Sequence, residues 1–154
     1  MFYGASSFNQ DIGDWDMSST ASGSGFKEMF RSATAYNNGG QQINWITSPG
    51  VIDMGLMFYN CLNFKQSLYS INITTLSSKI DFNHLVVLPT ESYNATLVGW
   101  NSQLEAAYPG GAGYSINLGW NFNGSTYTAD SAAEAARTNL INTFGWTIVD
   151  GGAV

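Results

Sequence analysis

Asp11, Asp14 and Asp16 form the one carboxylate cluster of this chain. On a strand, Asp14 and Asp16 would project from the same face, roughly 7 Å apart. Two acids about 5–9.5 Å apart can divide the work of cleaving a glycosidic bond. Their oxygens could also hold calcium, a hard ion. The remaining chemistry is thin. His84 is the only histidine and Cys61 the only cysteine. A histidine-based metal cluster, a Cys₄ zinc site and an internal disulfide are therefore excluded. His84, beside Phe82 and Leu85, reads as structural. No G-x-S-x-G elbow, P-loop or dinucleotide-binding glycine motif occurs in a fitting context. The expectation is no catalytic residue, no metal, no cofactor and no enzyme, with the aspartates forming a solvated face.

What would position these residues is an internal repeat. Met-Phe pairs stand at positions 1, 29 and 57, so three copies of one pattern run at 28-residue spacing. A fixed period in this range is the signature of units that cannot bury their apolar side alone. MFYGASSFNQDIGDWDMSS aligns without gaps on MFYNCLNFKQSLYSINITT. Phe2 meets Phe58, Ala5 meets Cys61, Phe8 meets Phe64, Ile12 meets Leu68, Trp15 meets Ile71 and Met17 meets Ile73. Cys61 thus fills a small-residue core slot shared with Ala5 and Ala33. The second copy matches at Phe30, Ala33 and Tyr36. It carries two extra residues near Gly39-Gly40 before Trp45 reaches the Trp15 slot.

Ile12-x-x-Trp15-x-Met17 and Leu68-x-x-Ile71-x-Ile73 have the L-x-x-L-x-L form whose last positions make a short strand. Alternation then turns Trp15 and Met17 inward and exposes Asp14, Asp16 and Ser18. The same reading exposes Asn44, Ile46 and Ser48 in the second copy, and Ser70, Asn72 and Thr74 in the third. The expected fold is α/β: a leucine-rich-repeat solenoid with short parallel strands and a helix-containing C-terminal cap. Residues 1–154 form a single domain, with coils over 1–88 and the cap over 89–154.

The strings MFYGASSFNQDIGDWDMS and VIDMGLMFYNCLNFKQSL resemble the BspA-like leucine-rich repeat surface proteins. They are most similar to the Mycoplasma-lipoprotein-type repeat MFxxAxxFNQDIxxWDVS. The resemblance implies a bacterial protein, secreted or anchored at the cell surface, that works in adhesion. The linker from Ser18 to Gly25 and the Gly39-Gly40 insertion depart from that pattern.

Composition narrows the function classes. Charged residues make up 10% of the chain and the net charge is −6, so the basic stripe that nucleic acid requires is lacking. The polar surface must be largely Asn, Ser, Thr, Gln and Gly, which suits an extracellular protein meeting glycans or other surfaces. No apolar run approaches the roughly 20 residues of a membrane span. Met1-Phe2 opens a repeat with no export signal before it, so a fragment of a longer surface protein is expected.

In the second half, Lys79–Phe82 reads as the strand of a fourth coil. Thr90 reads as the N-cap of a helix carrying Tyr93, Leu97, Trp100 and Leu104 at helical spacing, which ends at Tyr108-Pro109-Gly110-Gly111. Tyr114–Leu118 alternates as a strand, and Gly119–Gly124 reads as a loop in which Trp120 could stack on a sugar. Asp130 would cap a helix from Ser131 to Phe144, with Gly145 just beyond it. Trp146–Val149 is a closing strand.

The expected function is non-catalytic recognition of a host or matrix protein, or a glycan, through the concave strand face carrying Asp14, Asp16, Asn44, Asn72 and Thr74. The alternative is a structural unit of a surface fibre or virion appendage that self-associates end to end through Phe2 and Phe8 of the first coil.

Overall fold

The computed structural model describes residues 1–19, 25–47, 52–74, 76–78, 82–116 and 119–154. In chain order the elements are β1 (Asp16–Met17), β2 (Ile46–Thr47), β3 (Ile52–Asp53), β4 (Leu76–Ser78), α1 (Thr90–Ala107), β5 (Gly119–Asn121), α2 (Ala132–Asn142) and β6 (Thr147–Val149). The strands pair in parallel as three separate two-stranded ladders, β1–β2, β3–β4 and β5–β6. Among the described residues no continuous sheet joins them. The expected leucine-rich-repeat solenoid, with its concave strand face, is therefore overturned: this is a small mixed α/β fold. The physical reason is that most of each copy is turn. Left-handed backbone at Glu28, Ser32, Leu56 and Asn60 interrupts extended structure on either side of the Met-Phe pairs.

The 28-residue copies meet through those turns. Phe2 N donates to Met29 O at 2.8 Å, Phe30 N to Met57 O at 3.0 Å and Phe58 N to Phe82 O at 2.8 Å. The same hydrogen bonds bring Phe2, Phe30 and Phe58 into a column with successive ring centroids 5.5 Å apart. Tyr36 stacks on Phe30 at 4.0 Å, and Phe64 lies on Phe58 at 4.4 Å. Offset aromatic pairs of this kind add to the burial of their area.

In the third copy Ile71 and Ile73 are buried as alternation requires, but no strand forms there; β4 begins further on. Trp15 departs from expectation. It is 41% exposed, while Trp45 in the matching slot is buried and donates Nε1–H to Ile12 O at 2.7 Å. Trp45 also packs on Phe26 and Phe30, with ring centroids 6.2 and 5.9 Å away, whereas Trp15 lies 6.1 Å from Phe2. Within the expected strand Lys79–Phe82, residues 79–81 lie outside the described residues, as does Ser48.

Helix α1 buries Tyr93, Leu97, Trp100 and Leu104, the spacing read from sequence. Its N-cap is Pro89, and the Thr90 hydroxyl bonds Thr126 Oγ1 at 2.8 Å instead of capping. The buried Thr96 hydroxyl accepts from Leu68 N at 2.9 Å and donates to Ser92 O at 2.8 Å, tying α1 to the third copy. Gly99 makes that approach feasible, since a Cβ there would lie 2.4 Å from Tyr69 Cβ. Gly99→Ala should therefore destabilise the fold by about 1–3 kcal/mol through overpacking, outweighing the helix propensity that alanine adds. A thermal or urea melt measures it.

Ser131, not Asp130, caps α2, accepting from Ala133 N and Glu134 N. Asp130 uses its own amide on Glu134 Oε2 at 2.7 Å. The helix stops at Asn142, short of the expected Phe144; Ala136 and Leu140 are buried on its inner face, Phe144 is buried just beyond it, and Gly145 follows with φ +68°. The expected loop at Gly119–Asn121 is β5, in register with β6. Of the expected strand Tyr114–Leu118, residues 114–116 are irregular and the last two lie outside the described residues. One apolar core runs from Ile12 to Ile148 across both halves.

Candidate functional site

Of the five candidate residues, two pairs are brought together. The first pair is Asp14 and Asn44, both exposed. The ladder β1–β2 and the bond from Asn44 N to Gly13 O at 2.8 Å set the first two copies side by side, so Asn44 Nδ2 reaches Asp14 Oδ1 at 3.4 Å. The second pair is Asn72 and Thr74, half-buried, where Asn72 Oδ1 accepts from Thr74 N at 2.9 Å and from Thr74 Oγ1 at 2.7 Å. That local turn takes the place of the expected strand. Between the pairs, Ser70 Oγ donates to Ile43 O and joins the second copy to the third.

Asp16 stands apart. Its carboxylate accepts from Ser18 N at 2.8 Å, and the Ser18 hydroxyl and amide hold its acid below the ordinary value. Asp11 Oδ1 accepts from Gly13 N at 2.9 Å. The three aspartates thus engage separate partners. Among the described residues no group of three or more His, Cys, Asp or Glu side chains is placed to hold a metal ion.

Asn72 and Thr74 also line a shallow groove of about 510 Å³ with Ser70, Gln103, Ala106 and Ala107. Gln103 is the residue that sequence reasoning missed. It projects from α1, accepts from Ile73 N at 3.1 Å, and donates to Tyr69 O at 2.6 Å and Ile71 O at 3.1 Å. Tyr108 Oη closes one end on Thr74 O at 3.2 Å. No charged side chain lines this groove. Asn72 Nδ2 faces no partner among the described residues, so it keeps donors for a ligand.

A second row of side chains lies elsewhere on the copies. Arg31 is held between the rings of Tyr3 and Tyr59, 5.5 and 5.3 Å from their centroids, and His84 stacks on Tyr59 at 5.0 Å. The turn hydrogen bonds Gly4 N to Arg31 O, Ser32 N to Tyr59 O and Asn60 N to His84 O hold these backbones in step. The signal was available in sequence: Tyr3, Arg31 and Tyr59 share the 28-residue interval.

The nucleophile and aromatic candidates are embedded in the core. Cys61 is fully buried, its Sγ 2.9 Å from Phe30 O, and burial pushes the thiol up to about 12. Trp120 is buried against Trp100 and Trp146 at 4.5 and 5.4 Å, so its ring is not presented to a sugar. No helix among the described residues is long and apolar enough to cross a membrane.

Residues 1–100 match the family described as Mycoplasma protein of unknown function, DUF285. The match covers the three copies and the first part of α1. It supports the Mycoplasma side of the resemblance read from sequence and does not extend to BspA-like leucine-rich repeats. No curated protein and no solved structure matches the chain.

Proposed function

The chain belongs to the DUF285 family of Mycoplasma proteins, whose function is unknown, and we propose that it is a non-catalytic recognition module acting at a cell surface. The observation that carries this reading is the uncharged groove between the third copy and α1, where Asn72 offers unspent amide donors beside Thr74 and Gln103. Asp14 and Asn44 extend the polar surface onto the first two copies. Such a surface recognises a neutral glycan or a polar protein epitope through hydrogen bonds, with little long-range steering. The bacterial surface setting rests on the resemblance to adhesins and on a polar exterior poor in charge.

The test is a screen of the purified chain against a glycan array and a panel of extracellular proteins, with the Asp14→Ala, Asn72→Ala double variant alongside. The double variant is expected to bind at least about tenfold more weakly, the loss of one or two good hydrogen bonds. Its melting point should stay within a few degrees of the parent. Undiminished binding by the variant would remove this surface from the argument.

A second reading, assembly into a larger structure, is favoured by one observation. Phe2 and Phe8 stack at 3.9 Å and are only half-buried. Beside them, a recess of about 200 Å³ is lined by Met1, Trp15, Met17, Phe26 and Met29 together with Gly25 and Lys27. Sedimentation velocity over a hundredfold concentration range separates the readings, because a concentration-independent monomer excludes self-assembly.

A further inference from the structure

The row Tyr3–Arg31–Tyr59–His84 is not used by the groove described above, and we infer that it is a second binding site, selective for carboxylate-bearing sugars. Arg31 is fixed between two tyrosine rings, and of its five N–H groups only one, on Nη1, meets a partner, Glu28 Oε1 at 2.8 Å. The remaining donors form the planar fork that fits a carboxylate bidentately.

Stacking makes this a prepared site. The rings hold the guanidinium in place before a ligand arrives, which lowers the ordering cost of binding. Tyr59 is engaged by both Arg31 and His84, while Tyr3 meets Arg31 alone and leaves the rest of its ring open to a ligand. Tyr3 Oη, Tyr59 Oη and the His84 ring make no hydrogen bond with any described residue. Tyr3 is 58% exposed. The row therefore stacks a phenol, a guanidinium, a second phenol and an imidazole, with the guanidinium carbon 5.5 and 5.3 Å from the two phenol ring centroids and the imidazole centroid 5.0 Å from that of Tyr59.

An acidic sugar supplies the complement: one carboxylate for Arg31, with ring hydroxyls on either side for the tyrosines and the histidine. A bare anion would use the fork alone. An acidic peptide would bring carboxylates without the neighbouring hydroxyls. Glu28 beside the fork and the net charge of −6 weaken simple attraction of anions, so recognition must come from the matched hydrogen bonds.

The test is titration of the ¹⁵N-labelled full chain with oligogalacturonate, following the Arg31 Nε–Hε signal. Neutral cello-oligosaccharide, sodium acetate and a polyglutamate peptide serve as controls. The expected result is a saturable shift with oligogalacturonate alone. Arg31→Gln should weaken binding by at least about tenfold, Arg31→Lys should fail to restore it, and Tyr59→Phe should weaken it a few-fold with the melt unchanged. No shift of Arg31, an equal response to acetate or to the neutral oligosaccharide, or undiminished binding by Arg31→Gln would overturn the site. An equal response to polyglutamate would overturn its selectivity for sugars. Tyr59→Phe keeps the stack, so it decides the matter if Arg31 variants fold poorly.

Discussion

Asp150→Ala should lower the melting temperature by on the order of 10 °C, corresponding to about 3–5 kcal/mol. The Asp150 side chain is 3% exposed. It accepts from Arg137 Nε at 2.8 Å and Nη2 at 3.3 Å, from Tyr93 Oη at 2.7 Å and from Gly152 N at 3.2 Å. Removing it strands a guanidinium and a buried phenol at once. Burial opposes the Arg137 charge, but the hydrogen bond and charge of Asp150 outweigh it and raise the Arg137 pKa above its ordinary value, so the guanidinium holds its proton more tightly. Burial first, and then the Asp150 hydrogen bond, keep Tyr93 protonated. These contacts link α1, α2 and the residue after β6, so the loss should appear as a lower midpoint of one cooperative transition. Arg31–Glu28 is the comparison. That pair is a third exposed on each side, and Glu28→Gln should cost less than about 1 kcal/mol. Equal effects at the two pairs would refute the assignment of Asp150 as a buried hub.

Trp100→Ala should be equally severe, at about 3–5 kcal/mol, and should affect both halves of the molecule. Trp100 is fully buried on α1. Its ring meets Trp120 at 4.5 Å, Phe122 at 5.9 Å and Trp146 at 6.1 Å, while Nε1 donates to Leu68 O at 2.8 Å. One side chain therefore joins the third copy, α1 and the β5–β6 ladder. Trp100→Phe keeps much of the volume but leaves Leu68 O unpaired, and should cost about 1–3 kcal/mol. Urea melts of both variants measure the two contributions. A Phe variant as damaged as the Ala variant would place the weight on the hydrogen bond instead of the packing.

The two helices were legible because each satisfies a local rule. Tyr93, Leu97, Trp100 and Leu104 recur at helical spacing, and α2 follows a capping serine, Ser131, one residue beyond Asp130. β5 was hidden: Gly119 and Asn121 are poor strand formers, and pairing with Thr147–Val149 overrides their preference. The copies were legible from the 28-residue interval, yet their geometry was not. The L-x-x-L-x-L spacing suggested that strands join one copy to the next. Beside the two-residue β1–β2 ladder, much of the joining is done by turn amides around the Met-Phe pairs, and positive φ at residues such as Ser32 and Leu56 cannot be read from side-chain pattern. At the candidate groove, Asn72 and Thr74 were found from repeat alignment. Gln103 was not, because it reaches the site from a helix with no counterpart in the copies.

The position of Cys61 carries a consequence for how the molecule can be observed. The chain's single thiol sits beside the Phe30 carbonyl within the core, where burial pushes its pKa up to about 12. A thiol reagent has no route to it while Phe30, Phe58 and Phe64 remain packed. Labelling therefore reports the opening of the packing around Cys61. It needs no engineered probe and reads the same clock in every variant described above.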